Sequence, residues 1–195
     1  MEHRLANVVI GTETGDDWTI YGQPVLGRAC GSCKSCCTLV PVERPLNKPA
    51  MTKCQFLNHK GCSIYAERPD VRRYWSCRWL FDPTTAGMKR PDHMGYLIDC
   101  MLDTIIVDGD KEMQVVQIWV DPARSDAHRD PALRSWLQAK RLPAIVRYGS
   151  ADAMLIAPPP APDGEWIERT SEMLTREAMD QRRVEIRDGA RDGSR

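Results

Sequence analysis

Four cysteines stand within eight residues, Cys30-Gly31-Ser32-Cys33-Lys34-Ser35-Cys36-Cys37. A C-x2-C-x2-C-C run constrains the chain more than any other feature. At this cysteine content the four positions would coincide roughly once in two thousand chains of this length, so chance is a poor account of them. Packing has no use for the spacing either, whereas two thiolates three residues apart can reach one ion at about 2.3 Å each. Seven of the eight cysteines fall between Cys30 and Cys77, one is at Cys100, and none follows. Eight in 195 residues is well under the roughly 8–10% of a secreted disulfide scaffold, so free thiols at a metal are the expectation.

If the run is helical, Cys30, Cys33 and Cys37 share one face and Cys36 lies to the side, free for a second site. If it is a loop, Cys30, Cys33 and Cys36 reproduce the first three ligands of the bacterial ferredoxin run C-x2-C-x2-C-x3-C-P. Val40 stands where the fourth would be. The remaining ligand would then come from Cys54, Cys62 or Cys77. A Zn(Cys)4 site, an iron–sulfur cluster and a two-metal site all remain open on the count.

Around the cluster the chain resembles the cysteine-cluster family named for its CxxCxxCC motif and described as a zinc- or iron-chelating domain. The matching segments are Cys30-x2-Cys33-x2-Cys36-Cys37, then Cys54-Gln55-Phe56-Leu57, then Cys62-Ser63-Ile64-Tyr65-Ala66-Glu67-Arg68-Pro69, with Cys77 closing the block. The family pattern continues R-P-x-x-C-R-x-x-x-C, and Arg72 occupies the place of its first cysteine. The resemblance covers residues 30–80. It implies a metal held by Cys30, Cys33, Cys36, Cys37, Cys54, Cys62 and Cys77, with zinc the expected ion and iron or an iron–sulfur cluster the alternative.

The rest of the chain reads as scaffold. The expected fold is α+β: a Cys-rich, metal-organised module with short helices, packed on an antiparallel β meander with one or two helices. Residues 1–157 form a single domain holding the chelating module 30–80, and 158–195 form a proline-rich linker, a C-terminal helix over 170–184 and a frayed tail. Strands are expected at 5–10, 18–21, 95–103, 104–107, 113–120, 144–148 and 153–157, with Asp108-Gly109-Asp110-Lys111 as a hairpin turn. Helices are expected at 64–67 behind Ser63, at 70–81 behind Pro69, and at 131–140, where Leu133, Trp136 and Leu137 repeat at i, i+3, i+4. Pro45 and Pro49 make 42–51 irregular. Cys100 belongs to the core on the alternating face of a strand. His59 and His93 are surface residues.

Charges balance at 27 Lys+Arg against 27 Asp+Glu, so no global field draws nucleic acid or anionic lipid. The basic and aromatic set Arg68, Arg72, Arg73, Arg78, Tyr74, Trp75 and Trp79 is diluted by Glu67, Asp70 and Asp82, which argues against a nucleic-acid surface. No apolar run approaches the ~20 residues that span a bilayer, and no targeting segment is visible; a cytoplasmic location is expected. No Ser-His-Asp set, phosphate loop or H-E-x-x-H supports an enzyme. A redox protein built on an iron–sulfur cluster, and a metal or oxidant sensor using the vicinal Cys36-Cys37, are the rival readings.

Overall fold

The computed structural model describes residues 23–107, 111–149, 152–161 and 163–173. The strands expected at 5–10 and 18–21, the turn at 108–110, and the expected helix from 174 onward lie outside them. The fold is α+β, with a two-stranded and a five-stranded sheet.

Among the described residues, 23–90 hold little regular structure. Their α-helices and strands are α1 (Ser35–Leu39), β1 (Leu57–Asn58) paired with β2 (Gly61–Cys62), α2 (Asp70–Tyr74) and α3 (Arg78–Phe81). Residues 64–67 make a turn, closed by Glu67 N–H donating to the Ile64 carbonyl at 3.0 Å, and not the expected helix. The stretch 70–81 likewise breaks in two. Trp75 and Cys77 take extended backbone, because Cys77 forms an antiparallel bridge with Asp99 on the edge of the large sheet.

The second half is conventional. A short α4 (Pro91–Met94) is stopped by Gly95 at φ +82°, where a side chain would run into the Arg124 guanidinium within 2.6 Å. Arg124 holds that place by donating to the carbonyls of Asp92 and His93. Then β3 (Tyr96–Val107) and β4 (Lys111–Val120) pair antiparallel. Their register runs from Tyr96↔Val120 to Ile98↔Ile118, resumes at Leu102↔Val116, and so leaves a bulge at 99–101 of β3.

Helix α5 (Pro131–Lys140) forms where the periodicity places it. The Asp130 side chain accepts from Ala132 N–H at 2.8 Å, Pro131 presets the first turn, and Arg141 ends the helix in the left-handed region. It buries Leu133, Trp136 and Leu137. The helix is also a crossover, so β5 (Ala144–Arg147) lies parallel to β4; β6 (Ala153–Ala157) and β7 (Ile167–Thr170) follow antiparallel. The sheet is therefore mixed, in the order β3-β4-β5-β6-β7, and not the expected meander. A helix between two strands of one sheet is the usual way to bring the chain back in the same direction. The proline-rich 158–161 follows β6 and precedes β7, and Gln138 Nε2 donates to the Pro159 carbonyl.

Two cores result from strand alternation. Tyr96, Ile98, Val116, Ile118 and Val120 meet α5 with Val146 and Ile156. Leu97 and Trp119, on the opposite face, meet Leu39 and Val40 at the end of α1, with Cys36, Met51, Trp75 and Cys77 alongside. The cysteine half is thus seated on the back of the sheet at its β3–β4 end.

Candidate metal centre

The run that opens the site is part loop and part helix. Gly31 at φ +50° lets Cys33 N–H donate to the Cys30 carbonyl at 2.8 Å, a tight turn that carries the first C-x2-C. Helix α1 begins only at Ser35 and carries Cys36 and Cys37. Cys54 is tied in by its N–H to the Cys37 carbonyl at 2.9 Å, and Cys62 by its pairing with Leu57 across the β1–β2 hairpin. Cys77 arrives from the far side through its bridge to Asp99.

All eight cysteines are free thiols. Cys30, Cys37, Cys54 and Cys62 line one cavity of about 440 Å³. Burial, then the neighbouring Cys33 and Cys37 thiols, push the Cys30 thiol up even though the residue stands at the exposed rim. A hydrogen bond with Cys36, and burial, push Cys37 up strongly. Burial and the nearby Cys30 push Cys77 up to about 12. The thiols are close enough to disfavour one another's ionisation, which is how uncompensated thiolates behave.

Cations ring them. Lys48 is buried, and its ammonium donates to the carbonyls of Val40 at 2.6 Å, Pro49 at 3.1 Å and Thr38 at 3.3 Å. Burial, then the nearby Arg72, bring it down to about 8, while Cys54, Cys37 and Cys36 pull the other way. Arg72 donates to the carbonyls of Cys36 at 2.8 Å and Val40 at 3.4 Å and stacks 5.2 Å from the Trp75 ring. Arg72 is therefore beside the cluster, gripping the backbone of Cys36. Arg68 donates to the carbonyls of Tyr65 and Arg72 and stacks 4.1 Å from the Tyr65 ring.

Donor chemistry fits zinc or iron, both of which accept thiolate ligands. In the arrangement described, however, the thiols surround a space and do not meet at a point. Among the described residues no three His, Cys, Asp or Glu side chains converge to hold one ion. His59 is exposed and gives its backbone carbonyl to the Lys34 ammonium, and His93 is exposed beside Asp92. Cys100 is buried, as expected, but the bulge at 99–101 breaks the alternation that was to bury it with Leu102, which is instead exposed.

Two parts of the site were not legible beforehand. The carbonyl-gripping cations are invisible in the sequence, where Lys48 and Arg72 look like surface charges. The cavity has no sequence signature. No family model, curated protein or solved structure matches this chain.

Proposed function

We propose that this protein binds zinc or iron through Cys30, Cys33, Cys36, Cys37, Cys54, Cys62 and Cys77, and that the metal orders the N-terminal half. The observation that carries the reading is one cavity lined by the free thiols Cys30, Cys37, Cys54 and Cys62, with Cys33, Cys36 and Cys77 near enough to act on Cys30 and Cys37 or be acted on by them, and with Lys48, Arg68 and Arg72 beside them. Thiolates at a metal leave excess negative charge, and cations held by backbone carbonyls are placed to offset it. Binding would draw the thiolates inward from their present positions and expel their protons. A structural zinc site contributes ~10–16 kcal/mol, enough to hold segments whose longest helix is a single turn or so. The protein is cytoplasmic in this reading, where thiols stay reduced.

The test is elemental analysis of protein purified without oxygen and without a His-tag, for wild type and Cys33→Ser. Colourless protein with stoichiometric zinc, or brown protein with iron and acid-labile sulfide, is the expected wild-type outcome. The variant should lose metal and protease resistance of residues 24–82 together. Metal-free wild-type protein that is nevertheless protease-resistant would defeat the reading.

A further inference from the structure

The cavity beside the cysteines is far larger than a metal ion requires. Its volume of about 440 Å³ falls within the roughly 300–1,000 Å³ of small-molecule sites. Its lining includes the apolar side chains of Phe56, Ile64, Trp75, Leu80 and Phe81. It also includes Arg28, Arg68, Arg72 and Arg73, and among the described residues no Asp or Glu lines the space.

The arginines are held in place. Arg28 donates to the carbonyls of Trp79 and Asp82 and to Thr85 Oγ1, and stacks 5.1 Å from the Trp79 ring. Arg72 is fixed by two carbonyls and Trp75. Carbonyls satisfy some of the five N–H donors of a guanidinium but do not neutralise its charge. Neither Arg28 nor Arg72 makes an ion pair with a carboxylate among the described residues. Arg28 and Arg72, held in place without a carboxylate partner in a cavity rich in apolar side chains, match a ligand with an anionic head and a flat apolar body.

We propose that this cavity binds a small organic anion, a carboxylate or a phosphate ester with an aromatic or similarly flat body, its head on the lining guanidinium groups and its body against the apolar lining. The cavity is the one that Cys30, Cys37, Cys54 and Cys62 line, so the proposal rests on the metal-ordered fold of this half, while guanidinium groups and not the metal carry the recognition.

Calorimetric titration of the full chain as purified tests this with four probes: phenylphosphate, benzoate, benzyl alcohol and inorganic phosphate. At least one aromatic anion should bind at one per chain, tenfold or more tighter than benzyl alcohol and inorganic phosphate. The tighter of the two identifies the head group. Arg72→Gln should weaken that anion at least tenfold without changing benzyl alcohol. Because Arg72 also grips the Cys36 and Val40 carbonyls, Ile64→Trp provides a second variant, which narrows the cavity without replacing an arginine and should weaken binding at least tenfold. Three results overturn the proposal: no saturable binding of either aromatic anion, equal affinity for benzyl alcohol, or unchanged affinity in Ile64→Trp. Metal content measured on the same sample keeps the two readings apart: failure to bind in metal-replete protein overturns this proposal and leaves the metal reading standing.

Discussion

From Tyr96 to Thr170 the backbone satisfies itself in a five-stranded sheet, and α5 closes one face with Leu133, Trp136 and Leu137. From residue 24 to residue 90 the longest regular element is five residues. There the carbonyls are met by side chains: Arg28 takes those of Trp79 and Asp82, Lys48 those of Thr38, Val40 and Pro49, and Arg72 those of Cys36 and Val40. Buried carbonyls need donors whether or not a ladder supplies them. A charged donor contributes ~1.5–3 kcal/mol per bond but leaves its charge in place, so a half built this way accumulates positive potential where a sheet would be neutral. The irregular half needs an anion, and its own thiolates are the nearest source.

That contrast can be broken most severely by removing metal. Chelator at neutral pH should open residues 24–82 to protease while 96–170 stays protected, as mass spectrometry of the fragments would show. Simultaneous cleavage of both halves would mean that the sheet has no independent stability. Next in size is Leu137→Ala, which truncates a fully buried side chain in the α5 core and should cost ~2–5 kcal/mol in denaturant unfolding, with metal stoichiometry unchanged.

The acid response should be smaller and should separate the halves by pH. His128 is buried against the Ser125 carbonyl and the Tyr148 hydroxyl, and burial lowers its pKa. Since the unfolded chain binds that proton more readily, the sheet half keeps its full stability above about pH 6.5 and loses it as pH falls further. Glu168 and Asp82, held below the usual carboxylate range despite burial, by Arg134 and by the Thr84 hydroxyl respectively, act only below about pH 4.5. His128→Gln should therefore flatten the upper part of the acid limb in a pH series of melting temperatures; an unchanged limb would assign it elsewhere. The smallest effect is expected from Cys100→Ala, about 1 kcal/mol with no metal lost. Loss of a metal equivalent would make Cys100 a ligand and join the two halves chemically.

What the sequence discloses follows the same division. Helix α5 is legible because Asp130-Pro131 and the spacing of its apolar residues agree on one start and one face. The β3–β4 hairpin is legible from its β-branched runs. The direction of β5 is not, since composition carries no sign of parallel or antiparallel pairing, and β7 is too short and polar to stand out. In the cysteine half the spacing of Cys30, Cys33, Cys36 and Cys37 singles out the chemistry. The backbone path does not follow from it, because that path is set by Lys48, Arg72 and the Cys77 bridge, which are long-range contacts.

The bridge from Cys77 to Asp99 also decides how this protein behaves in a crowd. Among the described residues strand β3 is the rim of the large sheet, and a bare rim offers another chain a row of unpaired amides and carbonyls. Here it is sealed at the bulge: Cys77 pairs with Asp99, Arg78 donates to the carbonyls of Asp99 and Cys100, and Trp75 Nε1 donates to the Asp99 carboxylate. Each of those plugs belongs to the cysteine half. Whatever loosens that half uncovers a strand end that can recruit a neighbour, so the first sign of damage at the thiols should be self-association, before any loss of sheet structure.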